Sequence, residues 1–168
     1  AMFIHFYQEN VQEVVDSIII AYKVGEHPDV LLPSFVCLEG YRLTHTYEPV
    51  DIPDQEAVDQ FLPPYNPKHA FLDPKYPIMQ GTGTVEFYPH FKYAQHEALL
   101  RARHVLKETF KEFGQKFGRH YDLVETYRVD DADLVVVALG TMAGVIREAV
   151  DEYREKGIKL GMLKIRIF

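Results

Sequence analysis

Two turns carry the residues of this chain best suited to meeting a ligand. Glu39-Gly40-Tyr41-Arg42 follows an apolar run over 31–38, and in open α/β sheets ligands gather at the C-terminal ends of strands. Gly140-Thr141-Met142-Ala143-Gly144 stands where a second apolar run gives way to a helical pattern; backbone N–H groups and the helix dipole at such a turn can hold a phosphate or a carboxylate. Each turn also has a purely structural reading, with Gly40 at positive φ, Gly140 making a tight turn and Thr141 capping the helix that follows. Glu39, Gly40, Gly140 and Thr141 are therefore the candidate cofactor-binding positions, and no catalytic residue is assigned.

Metal chemistry finds no pattern to stand on. His96-Glu97 begins a zincin motif, but Leu100 occupies the place of the second ligand. His96 and His104 share a helix face yet stand about 12 Å apart along it, too far to hold one ion. His5, His27, His69, His90 and His120 have no ligand-like spacing, and Asp130, Asp131 and Asp133 read as a solvated edge before a strand. Gly81-Thr82-Gly83 imitates the start of a dinucleotide fingerprint without its third glycine or a preceding strand. Ser34, between Pro33 and Phe35, lacks the glycines of a nucleophile elbow. Cys37 lies within the first apolar run and reads as a buried core thiol, and one cysteine cannot ligate an iron–sulfur cluster.

The elements that must position these residues follow from spacing. Asn10 with Glu13 reads as a capping pair, opening a helix with Val11, Val14, Val15, Ile18, Ile19 and Tyr22 on one side and Gly25 and Pro28 at its end. The run over 30–38 predicts a strand covered on both faces, with Pro33 pushing its start later or marking a sheet edge. Seven prolines between Gly40 and Tyr88 leave room for one short helix over 54–61. Phe61, Leu62, Tyr65, Phe71, Leu72, Tyr76, Ile78 and Met79 give that connection enough apolar mass to wrap against a surface of this chain or of a partner. Phe91, Ala94, Ala98, Ala102, Leu106, Phe110, Phe113 and Phe117 predict one long helix over 89–116, with Gly114 and Gly118 fraying its exit. A strand over 133–139, a helix over 143–156 and a strand over 160–168 complete a parallel βαβ unit with a right-handed crossover.

Composition sets outer limits. The chain has 168 residues, 47% hydrophobic and 26% charged, which is the profile of a folded globular protein. A net charge of −7 argues against nonspecific binding to nucleic acid. No apolar run nears the roughly 20 residues of a membrane span, no secretory leader is visible, and the lone cysteine fits a reducing cytoplasm.

The segments FYQENVQEVVDSIIIAYKVGE (6–26), LLPSFVCLEGYRLTHTYEPV (31–50), THTYEPVDIPDQEAVDQFLPPY (44–65) and EFGQKFGRHYDLVETYRVDDADLVVVALGT (112–141) resemble the α subunit of pyruvate and other 2-oxoacid:ferredoxin oxidoreductases. The family tends to carry Asp-Gly-Phe where this chain has Glu39-Gly40-Tyr41. The resemblance implies an α/β fold in three parts: the end of a thiamine-pyrimidine-binding-like domain (1–48), a wrapping linker and long helix (49–120), and the start of a transketolase C-terminal-like domain (121–168). It implies a thiamine diphosphate enzyme, with Mg and iron–sulfur clusters, that oxidatively decarboxylates a 2-oxoacid, pyruvate above all, to acyl-CoA such as acetyl-CoA. The cofactor acts there as an electron sink. Other subunits, ferredoxin and coenzyme A are the implied partners. The family's pyrimidine-activating glutamate and its substrate-binding threonine and arginine lie upstream of the portion seen here, so this chain alone is expected to bind no cofactor and to catalyse nothing. Both ends read as cuts through a larger subunit. The different reading from the same residues is a stand-alone interaction or assembly module without catalysis.

Overall fold

The structure, a computed structural model, describes residues 2–67, 73–75 and 84–168. It begins with a strand that spacing does not reveal. β1 (Ile4–Tyr7) pairs in parallel with β2 (Ser34–Cys37), in the register Ile4↔Ser34 to Tyr7↔Cys37. Four residues give only two turns of alternation, Ile4 and Phe6 inward, too few for periodicity to register. β2 starts directly after Pro33, whose carbonyl accepts from the Ile4 N–H at 3.1 Å. As an edge strand it is not covered on both faces: Phe35 is half exposed and Cys37 is half-buried, not a core residue. Burial still pushes the Cys37 thiol above its ordinary pKa.

Between the strands runs α1 (Val11–Gly25). The expected cap is present: Asn10 Oδ1 accepts from the Glu13 N–H at 2.9 Å, and the Glu13 carboxylate accepts from the Glu9 N–H at 2.8 Å. The buried face is rotated away from the side that spacing picks out. Ile18 and Tyr22 are 44% and 59% exposed, and Val11, Val14, Val15 and Ile19 are half-buried, while Glu13, Asp16 and Ser17 are buried beside Ile20, Ala21 and Val24. Buried acids hold that orientation because cations from distant parts of the chain meet them.

The proline-rich connection contains α2 (Arg42–His45) and α3 (Gln55–Phe61), and leads to the 30-residue α4 (Tyr88–Phe117) with Pro89 in its first turn, where a missing N–H costs nothing. α3 docks through Phe61, fully buried edge-on against Phe113 and Phe117 with centroids 5.6 Å away. Lys23 Nζ stands 3.9 Å over the same ring and donates to the Phe61 carbonyl at 2.9 Å. The connection thus packs at this point on its own chain. Phe71, Leu72, Tyr76, Ile78, Met79 and the Gly81-Thr82-Gly83 turn lie outside the described residues. The buried stripe of α4 runs from Ala98 to Gly114, and Phe91, expected inside, is exposed. Gly118 ends the helix at φ 73°, with its N–H on the Gly114 carbonyl at 2.9 Å, whereas Gly114 is not a fraying point but a buried notch beneath the His120 ring.

The last third holds β3 (Val124–Tyr127), β4 (Leu134–Leu139), α5 (Met142–Glu155) and β5 (Leu160–Ile165). β4 and β5 are parallel as expected, but β5 lies in the middle, with β3 antiparallel on its other side. Main-chain bonds then stitch this sheet to the first. Tyr7 N–H donates to the Arg166 carbonyl at 2.8 Å, Phe168 N–H to the His5 carbonyl at 2.9 Å, and His5 N–H to the Phe168 carbonyl at 3.0 Å. One apolar cluster lies among β1, α1, α3 and α4, and a smaller one, built on Ala138, Ala143, Val150 and Met162, lies under α5. The fold is mixed α/β, and among the described residues no helix is long and apolar enough to cross a membrane.

Candidate functional site

The turn at 39–42 is built by its carboxylate and not by its glycine. Glu39 Oε1 accepts from the Tyr41 N–H at 2.8 Å and Oε2 from the Arg42 N–H. These bonds hold the exposed Glu39 carboxyl below its ordinary pKa. Gly40 does not adopt the expected positive φ. In the other turn Gly140 does, at 59°, and a Cβ there would stand 3.4 Å from the Gln8 carbonyl. Thr141 makes no side-chain cap to α5, so the expected capping role is absent.

The fold draws these turns together from opposite ends of the chain. Arg42 and Thr141 line one cavity of about 210 Å³ with Glu9, Asn10, Glu48 and Glu148, while Glu39, Gly40 and Gly140 stand outside its wall. Three carboxylates against one guanidinium make a poor seat for a diphosphate.

Directly behind Glu9 lies a charged seam between the β1–α1 unit and the β3–β5 sheet. Lys164, on the inward face of β5 and without solvent exposure, donates to Glu9 and to Glu13, both at 2.6 Å. Arg166 bonds Glu125 at 2.6 Å and Glu13 at 3.1 Å, and its other terminal nitrogen reaches the Asp122 carbonyl at 2.8 Å. Arg147 of α5 reaches both Glu9 oxygens and bonds Glu125 at 2.5 Å. Carboxylate oxygens of Glu9, Glu13 and Glu125 come within 4.8 Å of one another, and the Lys164 ammonium occupies the place between them. The cluster is an ion-pair network and not a metal seat.

Burial alone would raise the Glu9 and Glu125 carboxyl pKa values. Hydrogen bonds from Arg147 and Lys164 to Glu9 override it, as do the Lys164 charge and the bonds from Arg147 and Arg166 to Glu125, and both acids stay below the ordinary carboxylate range. The Glu9 and Glu125 bonds in turn hold the Arg147 guanidinium charged. A second knot lies deeper along α1, where Asp16 accepts from Arg119 and, at 2.7 Å, from the Tyr121 hydroxyl.

Spacing singled out none of these seam residues except Glu13, and that one only as a cap. A signal was present. Met162, Lys164 and Arg166 alternate on one face of an apolar strand, and a charge there needs a buried partner. Asp16 in the middle of an apolar helix makes the same demand.

The described residues offer little to a thiamine cofactor directly. Glu13 and Asp16, the buried acids among them, are both engaged by cations, and the single cysteine rules out a cluster ligand set within the chain.

A family model described as pyruvate flavodoxin/ferredoxin oxidoreductase, thiamine diphosphate-binding, matches residues 1–111, and one described as pyruvate:ferredoxin oxidoreductase core domain II matches residues 132–168. The pyruvate synthase subunit PorA of Pyrococcus abyssi is 50% identical over 98% of this chain and 42% of the relative. The same subunit of Methanothermobacter thermautotrophicus is 47% identical over 96% and 42%, and the ketoisovalerate oxidoreductase subunit VorA of Pyrococcus horikoshii is 42% identical over 97% and 41%. The chain spans about two fifths of the length of the curated relatives it matches.

Proposed function

The chain belongs to the pyruvate flavodoxin/ferredoxin oxidoreductase family, and from that premise we propose that it forms part of the α subunit of a thiamine diphosphate-dependent 2-oxoacid:ferredoxin oxidoreductase. The enzyme decarboxylates its oxoacid oxidatively, passes electrons through iron–sulfur clusters to ferredoxin, and delivers the acyl group to coenzyme A. Its thiamine diphosphate is held with Mg. Pyruvate is the favoured substrate because five pyruvate synthase subunits, at 47–50% identity, stand above the ketoisovalerate subunit at 42%. The setting is the cytoplasm, with other subunits as permanent partners. Residues 1–48 end a pyrimidine-binding-like domain, 49–120 wrap and brace it, and 121–168 open a transketolase C-terminal-like domain.

Within that enzyme this stretch braces the cofactor-bearing domain and forms subunit interface, with Glu39, Gly40, Gly140 and Thr141 as the positions nearest to a cofactor role. The observation that carries the reading is identity of about half over nearly the whole chain to one subunit type. The supporting physical feature is the seam, whose cations leave Glu13 and Asp16 with no vacant carboxylate for catalysis.

The test is purification of the native complex containing this polypeptide. Coenzyme A-dependent reduction of ferredoxin by pyruvate, lost on removing thiamine diphosphate, is expected; a complex that oxidises no 2-oxoacid overturns the reading. Calorimetry on the chain alone should register no micromolar thiamine diphosphate binding. A stand-alone assembly module is the second reading, favoured by the exposed apolar side chains of β4 and the outward face of α1. It would purify as a stable species without catalytic subunits.

A further inference from the structure

The seam has an internal charge balance. Three carboxylates, Glu9, Glu13 and Glu125, meet three cations, Arg147, Lys164 and Arg166. The members come from four places: the β1–α1 junction, β3, α5, and β5 with the residue beyond it. Of the seven ion pairs within the set, four join the β1–α1 unit to the second sheet or its helix, and the other three close the ring through Glu125. Only three main-chain bonds between β1 and residues 166–168 accompany them across this line. Apolar packing is directionless and tolerates sliding, whereas a set of alternating charges centred on a fully buried ammonium has one low-energy register.

We propose that this set is a charge-balanced latch that docks the second α/β unit onto the first in a single register and opens only as a unit. Lys164 is its central positioning residue. Its ammonium touches two acids from the first unit and stands 3.7 Å from the third, on the second. Removing it leaves three acids facing two guanidinium groups. Removing Glu13 as well restores two against two.

The groups facing the latch from the surrounding elements are Arg42, Glu48 and Glu148, which share a cavity with Glu9, and Tyr121, whose ring lies 5.0 Å beneath the Arg166 guanidinium and whose hydroxyl belongs to the knot of Asp16, Arg119 and Asp51. The exchange alters none of these groups. The sign of the pH response therefore reports the balance of the inner six. In the parent protein Glu9 and Glu125 have depressed folded-state pKa values. Their contribution is complete above the unfolded carboxylate range and is lost as pH falls through the folded values, so docking weakens with acid. With Lys164 gone, one excess acid gains by taking a proton, and docking strengthens as pH falls from neutral into weak acid. The slope reverses.

Hydrogen exchange on the full-length subunit tests this at the amides of His5, Tyr7 and Phe168, which cross the seam, against Phe110 and Val150 in the two cores. Lys164→Met should lower protection of the crossing amides at neutral pH by on the order of a hundredfold, the scale of one buried charge left unpaired. Protection should recover on mild acidification. The double variant Lys164→Met/Glu13→Gln should return most of it at neutral pH and restore the parent slope. Unchanged protection in the single variant, a slope of the parent sign, or failure of the Glu13 exchange to rescue would each overturn the latch. A single variant that does not fold at neutral pH tests the same point, because only a charge latch predicts its recovery by Glu13→Gln.

Discussion

Arg119 closes a two-point fork on Asp16: Nε lies 2.6 Å from Oδ2 and Nη2 lies 2.9 Å from Oδ1. Asp16 is fully buried in the middle of α1, and Arg119 follows the end of α4, 103 residues along the chain. The pairing explains why a helix with an apolar stripe turns its acids inward. Truncation of Asp16 leaves the half-buried Arg119 paired only with Asp51 and the Tyr121 hydroxyl without its acceptor. Asp16→Ala should lower unfolding stability by about 1.5–3 kcal/mol, read as a shift in urea midpoint without a change in slope. Arg119→Lys, which keeps the charge and loses the fork, should cost less.

Stability should fall on the acid side, and below the range where ordinary carboxylates titrate. Glu9 and Glu125 are ionised in the folded state to unusually low pH. Unfolding frees them to bind protons at ordinary pKa values, so the unfolded chain gains protons first as pH drops and the fold loses this contribution through the lowered values. Urea midpoints measured from neutral pH into acid should decline, and Glu125→Gln should flatten the decline.

Two glycines in one turn should respond in opposite directions. Gly140 sits at φ 59°, where a Cβ is strained, and Gly140→Ala should cost about 1–2 kcal/mol. Gly144 lies within α5, and its added Cβ would stand an ordinary 3.6 Å from Glu9. Gly144→Ala should be neutral or stabilising by up to about 1 kcal/mol, since alanine has the better helix propensity. Thermal midpoints of the two variants decide it.

Phe61 anchors the connection between the two halves of the chain. It is fully buried against Phe113 and Phe117, with Lys23 over its face. Phe61→Ala should cost about 3–5 kcal/mol and expose α3 to limited proteolysis before the rest of the fold. Cleavage no faster than in the parent protein would mean that α3 is held by other contacts.

Much of the fold was legible because it is written in neighbouring residues. Asn10 and Glu13 mark the start of α1, Pro33 the start of β2, the three-and-four spacing from Ala98 to Phe113 the buried side of α4, and the run over 134–139 with its following helix the parallel pair β4 and β5. β1 and β3 escaped because four residues of alternation are indistinguishable from loop, and each is a strand only by virtue of its partner. Of the candidate site, the Arg42 and Thr141 turns were visible separately, but nothing local places them on one cavity.

Family membership and the caps, breaks and periods of the helices were determined by the sequence alone, since these depend on residue identity within a few positions. Which face of α1 turns inward was decided by tertiary structure only. Hydrophobic period measures what a helix loses to water by itself, and it points Ile18 and Tyr22 inward. The folded chain inverts that choice because Glu13 and Asp16 find cations 151 and 103 residues away, and a satisfied buried ion network, once its partners are in place, outweighs the exposure of two apolar side chains.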